Sequence, residues 1–122
     1  MKIAVVGSRS FDDWDAVCEV MECLTDIYEN AEFISGGAKG VDSTVAEWCE
    51  KNVYHIEVIR PNYKEAVNPK AAPLARNSEI VARCDQLVAF WDGESRGTLD
   101  AIRKAVKAGK FVQIFSTKGE YN

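Results

Sequence analysis

A chain of 122 residues is long enough for one domain that buries roughly two thirds of the surface its unfolded form exposes. Its composition, 47% apolar and 28% charged, is that of a globular protein, and a net charge of −4 argues against coating nucleic acid by bulk electrostatics. No apolar run approaches the ~20 residues of a membrane span, and the opening "MKIAVVGSR" shows no export signal, so the expected location is the cytoplasm, with no membrane partner.

Five short apolar runs read as strands: "KIAVV" (2–6), "AEFIS" (31–35), "HIEVI" (55–59), "QLVAF" (86–90) and "KFVQIF" (110–115). Most are continuously apolar, the mark of strands covered on both faces of a parallel sheet. Helical patterns lie between them. Residues 13–29 place Trp14, Val17, Cys18, Met21, Leu24 and Tyr28 on one stripe, with acids on the remaining surface. Residues 43–52 place Val45, Trp48 and Cys49 on a face. Residues 74–84 do the same with Leu74, Ser78, Val81 and Cys84, and residues 98–108 with Leu99, Ile102 and Val106. "KAGK" (107–110) then stops the last helix. The order βαβαβαβαβ implies a parallel sheet with helices on both faces and right-handed crossovers, in a single domain spanning 1–122. All three prolines fall in one irregular loop, 60–73, expected to lie over the sheet's carboxyl edge.

Cys18, Cys23, Cys49 and Cys84 form no C-x-x-C pair and sit in helical patterns, so they read as reduced core residues. With one histidine, His55, no zinc site is expected, and neither metal nor cofactor is called for.

Ligands of an open doubly wound sheet bind beyond the carboxyl ends of its strands, where the strand order reverses. The segments at those ends are "GSRSF" (7–11), "GGAKGVDS" (36–43), the proline loop and "WDGESRGT" (91–98). Three of them are glycine-rich and open a helix, and each of these carries a cation, Arg9, Lys39 or Arg96; Lys70 and Arg76 lie in or just after the proline loop. Glycines let backbone N–H groups approach an anion, and a helix start leaves such groups unpaired. The helix dipole supplies only ~0.3–1 kcal/mol, so charge-assisted bonds of ~1.5–3 kcal/mol from Lys39, Arg76 or Arg96 would carry the affinity. "GGAKGVDS" is neither a Walker loop nor G-x-G-x-x-G; on spacing alone it is a weak signal, with a tight strand-to-helix turn as its plainer reading, and the convergence of three such loops on one edge favours the functional one.

Taken together, "VVGSRSF", "ISGGAKGVDSTVAEW" and "ARNSEIVARCDQLVAFWDGESRGTLDAI" resemble the SLOG superfamily over nearly the whole chain, and most closely its small YspA-like branch. The resemblance extends to the DNA processing protein A family, which shares the GSR and SGGAxGxD signatures, and to the LOG phosphoribohydrolases around the fourth segment. It implies a Rossmann-like α/β fold, a doubly wound parallel sheet of order 3-2-1-4-5. It further implies a nucleotide or nucleotide-derived ligand, including signals made from NAD or ADP-ribose, and a homodimer or higher homo-oligomer. Carried over, Gly7, Ser8 and Arg9 match the first loop, and Ser35, Gly36, Gly37, Lys39, Gly40 and Asp42 the second. Arg76 and Asn77 match the segment where LOG enzymes place a catalytic arginine, and Asp92, Gly93, Ser95, Gly97 and Thr98 the fourth. The expected roles are a phosphate cradle from Gly36, Gly37, Gly40, Gly93, Gly97 and Thr98, and charge neutralisation by Arg9, Lys39, Arg76 and Arg96. Asp42 or Asp92 would hold ribose hydroxyls.

Plainer roles stand beside these. Asp42, Ser8 and Thr98 could cap helices, Arg76 could pair with Glu79, Trp91 reads as core, and Tyr63 is the candidate for stacking on a base. The leading expectation is a sensor or sequestering domain for such a ligand. The alternatives are a LOG-type phosphoribohydrolase and, last, a single-stranded DNA binder, since an acidic chain without a basic aromatic groove suits nucleic acid poorly. LOG enzymes carry a catalytic glutamate three residues after the threonine; here that position is Ala101, and Asp100 next to it is ~100° away around the helix.

Overall fold

The computed structural model describes residues 1–11 and 13–116. In chain order the elements are β1 (Lys2–Gly7), α1 (Trp14–Ile27), β2 (Glu32–Ser35), α2 (Val41–Asn52), β3 (Ile56–Val58), α3 (Ala71–Arg83), β4 (Gln86–Trp91), α4 (Arg96–Lys107) and β5 (Phe111–Ser116). The five strands form one parallel sheet in the order β3-β2-β1-β4-β5, as expected. The order reverses between β1 and β4, which pair from Ile3↔Gln86 to Gly7↔Phe90.

Alternation along β1 divides the interior in two. Ile3 and Val5 face α1 and α2, in a core with Val17, Met21, Phe33, Val45, Trp48 and Phe90. Ala4 and Val6 face α3 and α4, in a core with Ile34, Ile80, Leu87, Ala89, Ala101 and Ile102. The sheet is therefore the middle of three layers, and β1 and β4 are buried along almost their whole length.

The edge strands depart from the sequence expectation. β3 spans three residues, with Val58 exposed, and β5 leaves Phe111, Ile114 and Phe115 exposed. Their apolar residues satisfy the strand pattern, but the helices cover the middle of the sheet and an edge has a neighbour on one side only. Two helix faces also differ. α3 begins at Ala71, with Pro73 tolerated in its first turn, and buries Ala72, Asn77, Ile80 and Val81 while Leu74 and Ser78 face outward. α4 buries Thr98, Ala101, Ile102 and Ala105, leaving Val106 exposed. Both possible stripes of α4 share Ile102; the alanines admit a closer approach to the sheet, and that stripe wins. Cys49 and Cys84 are core residues as expected, with burial pushing the Cys49 thiol up to about 12, but Cys18 is half-buried and Cys23 is exposed. Among the described residues no helix is long and apolar enough to cross a membrane.

α1 starts at Asp13, whose carboxylate accepts from the Ala16 N–H at 3.1 Å. α4 stops before Gly109, at φ 74°, as the "KAGK" pattern required. α2 ends less comfortably on Val53, a β-branched residue at φ 59° that is 91% exposed. That conformation costs an L-residue ~1–2 kcal/mol, and no packing at Val53 offsets it.

Two outcomes test this packing. Val53→Gly is expected to stabilise the protein by about 1 kcal/mol in denaturant titration, whereas a loss would contradict the strained cap. Phe33→Ala, which removes a fully buried ring set edge-on to Trp48 and Tyr54, is expected to cost ~3–5 kcal/mol by the same measurement.

Candidate functional site

The carboxyl ends of β1 and β2 and the starts of α2 and α4 converge, with α3 closing one side. Two adjoining cavities open there. The smaller, about 90 Å³, is lined by Gly7, Arg9, Gly36, Asp42, Arg76, Asn77, Ser95, Gly97 and Thr98 together with Val6, Ala38, Pro73 and Ile80. The larger, about 410 Å³, shares Arg9, Gly36, Ala38 and Arg76 and adds Gly37, Lys39, Arg60, Pro61 and Tyr63.

Asp42 is the chemical centre of the smaller cavity. α2 begins two residues earlier than the sequence pattern indicates, so Asp42 lies inside its first turn and Gly40 occupies the cap position. The expectation that Asp42 caps the helix is therefore corrected. Its Oδ2 accepts from the Ala38 N–H at 2.9 Å, fixing the loop before the helix. Its Oδ1 is buried with no hydrogen-bond partner among the described residues. Burial pushes the carboxyl above its ordinary range; the Ala38 N–H, Arg76, the Gly36 N–H and Arg9 pull it back only in part.

Arg76 is the matching cation. It reaches from α3 across the sheet edge, donating from Nη1 to the Gly36 carbonyl at 2.5 Å and from Nε to the Asn77 side-chain carbonyl at 3.0 Å. It does not pair with Glu79, which instead binds Arg83. Burial lowers its value, outweighing the attraction of Asp42. A side chain at Gly36 would collide with this guanidinium and approach Asp42. The absence of a Cβ at position 36 thus seats one of the protein's own side chains.

Asn77, 3% exposed, is a positioning residue. Its amide nitrogen donates to the Gly97 carbonyl at 3.0 Å and to Asp100 Oδ2 at 3.1 Å, and its oxygen holds Arg76, so one side chain joins α3, α4 and the arginine. Asp100 also pairs with Lys104 at 2.9 Å, and Ala101 is buried in the core.

Several expected residues do other work. Ser8 caps no helix: its Oγ accepts from the Asp92 N–H at 3.2 Å and its N–H donates to the Phe90 carbonyl at 3.0 Å, tying the loop after β1 to the end of β4. Ser35 accepts from the Gly37 N–H at 3.3 Å. Thr98 lies within α4 rather than capping it, its hydroxyl 3.4 Å from that of Ser95. Asp92 closes its own loop, accepting from the Glu94 and Ser95 N–H groups at 2.8 and 2.7 Å, and these bonds hold its carboxyl below the ordinary value. Asp92, Gly93, Arg96, Gly40, Ser8, Ser35 and Lys70 line neither cavity, so of the fourth loop Ser95, Gly97 and Thr98 reach the smaller cavity while Asp92, Gly93 and Arg96 do not. Trp91 packs against the α3–α4 core, as expected, with its indole N–H on the Ser95 carbonyl at 3.0 Å. Tyr63 lines the larger cavity and is 54% exposed. Arg60 was missed because its loop carries no glycine motif; its signal was its position immediately beyond a strand's carboxyl end.

The chain belongs to the YspA, cpYpsA-related SLOG family, whose model matches residues 1–65. Solved structures support the fold. DNA processing protein A from Streptococcus pneumoniae superposes with a TM-score of 0.77 at 22% identity over 93% of this chain, which spans only 49% of that protein's length. DNA processing protein A from Helicobacter pylori, studied for its single-stranded DNA binding mode, gives 0.76 at 21% identity over 98% of this chain and 67% of that one. The structural-genomics target TM1055 gives 0.70 at 22% identity, covering 91% of this chain and 71% of its own. No curated protein matches the chain.

Asp42 yields a pH prediction. Its folded-state value is raised, so its contribution to stability is present below the ordinary carboxylate range and is lost as pH rises through the raised value. Asp42→Asn removes that loss. Its melting temperature, relative to the parent, is expected to rise as pH climbs above the ordinary carboxylate range; a pH-independent difference would contradict the buried charge.

Proposed function

We propose that the protein binds a nucleotide or nucleotide-derived small molecule at this edge of the sheet, with a ligand hydroxyl donating to Asp42 Oδ1 and phosphoryl charge facing Arg9 and Arg76. The observation that carries this reading is the unpartnered carboxylate oxygen. A buried acceptor left without a donor costs ~1–3 kcal/mol, and more when charged, whereas a ribose hydroxyl entering the smaller cavity satisfies it. The basic residues around it supply the complementary charge.

Binding without cleavage is the form of this reading that the side chains favour. Hydrolysis of an N-glycosidic bond needs a carboxyl free to exchange a proton with the reacting groups. Ala101 is buried and carries none, Asp100 is committed to Asn77 and Lys104, and Asp92 closes its own loop, which leaves Asp42 as the one site carboxyl with a free oxygen, assigned in this reading to holding a ligand hydroxyl. A second reading, binding of single-stranded DNA, draws on the four basic side chains of the open larger cavity and on exposed Tyr63.

Incubation with a mixture of AMP, NAD, ADP-ribose and cyclic ADP-ribose, followed by mass spectrometry of the bound and unbound fractions, tests the proposal. An intact compound retained by the parent protein is expected, with affinity about tenfold to a hundredfold weaker for Asp42→Asn. Free base in the unbound fraction would make the protein a hydrolase. Retention of none of these compounds, with a labelled oligonucleotide bound in a steeply salt-dependent way, would overturn the reading in favour of DNA.

A further inference from the structure

We infer that Gly36 and Gly37 form a seat for two arginines, and that the paired guanidiniums make the larger cavity a site for a diphosphate group rather than a single phosphate. The inference rests on the small-molecule reading above and names the chemical class of its ligand.

Each glycine of the pair holds one arginine in the same way. The Gly36 carbonyl accepts from Arg76 Nη1 at 2.5 Å, and the Gly37 carbonyl accepts from Arg60 Nη1 at 3.2 Å. At each position the arginine occupies the room a side chain would need. A Cβ on Gly36 would strike the Arg76 guanidinium, and one on Gly37 would stand 2.8 Å from Arg60 Nη1. Gly37 also sits at φ 72°, a conformation that favours glycine. The two arginines come from opposite ends of the proline loop, one directly after β3 and one from α3, yet they dock on adjacent residues.

Both guanidiniums line the cavity of about 410 Å³, together with Arg9 and Lys39, and among the described residues no aspartate or glutamate lines it. A guanidinium has five N–H donors in a planar fork, and the carbonyl bonds leave most of them available. Holding four cations around one cavity is unfavourable unless an anion of matching charge occupies it. A single phosphate presents one cluster of oxygens and suits one fork. Two forks fixed on consecutive residues suit two linked phosphoryl groups, each engaged by its own arginine. Tyr63 and Pro61 give the same cavity an apolar wall, which fits the organic part of a diphosphate ester.

The test uses inorganic pyrophosphate and orthophosphate as probes, titrated calorimetrically at fixed ionic strength. Pyrophosphate is expected to bind at least about tenfold more tightly than orthophosphate. Arg60→Ala should remove that preference, and Arg60→Lys, which keeps the charge but not the fork, should restore only part of it. Arg103→Ala on the exposed side of α4 removes the same charge and should leave binding unchanged. Equal affinity for the two anions, no binding of pyrophosphate, or an Arg60→Ala protein that binds as the parent does would each overturn the inference. If such a result accompanies Asp42-dependent retention of an intact nucleotide, only the diphosphate assignment fails; if no nucleotide is retained either, the small-molecule reading fails with it.

Discussion

The guanidinium of Arg76 stands where any residue but glycine at position 36 would place its Cβ, and much of the cleft follows from that contact. It anchors α3 to the end of β2 across 40 residues of sequence. Asn77, the next residue, turns the same helix toward the start of α4 through Gly97 and Asp100. Ser8 makes a corresponding link between the loop after β1 and the end of β4. These links amount to five hydrogen bonds, yet each joins segments already placed by the sheet, so little further entropy is lost in making them. Position 36 is therefore a constraint on the relative placement of helices as well as a turn.

The electrostatics of the cleft run against stability. Asp42 and Arg76 are neighbours of opposite charge, but burial outweighs their attraction in both directions, raising the one and lowering the other. In a buried pair the desolvation penalty often exceeds the Coulombic gain, and here it does so for both partners. A protein of net charge −4 that also gathers Arg9, Lys39, Arg60 and Arg76 around one cavity places its cations where they repel one another. Both features weaken the isolated domain, and a bound molecule with hydroxyl donors and negative charge would relieve both.

The fold was readable because its signals are local and redundant. The runs 2–6 and 86–90 are apolar at nearly every position, as only strands buried on both faces need to be, and the helices between them set the parallel order. Where two stripes compete on one helix the pattern is silent. Leu74 and Val106 fit stripes of the right period yet are exposed, while Val81, Cys84 and Ile102 of the same stripes are buried beside Asn77 and Ala101. The edge strands misled for a related reason: Phe111 and Ile114 satisfy a buried-strand pattern yet stay exposed on β5, an edge strand with a neighbour on one side only.

The site was readable in its glycines but not in what they accommodate. Spacing marked 36, 37 and 40 as positions of close approach, and the resemblance assigned that space to phosphate. The atoms that approach Gly36 and Gly37 belong to Arg76 and Arg60, 40 and 23 residues further along the chain. Adjacency in sequence likewise drew Gly93 and Arg96 into the cluster, although they line neither cavity. Arg60 lay outside every motif, in a loop known only for its prolines. A glycine in a sequence shows that space is needed; what fills it is decided by side chains that only the completed chain path brings near. Here the answer is a layered one, since the glycines seat arginines and those arginines in turn line the larger cavity.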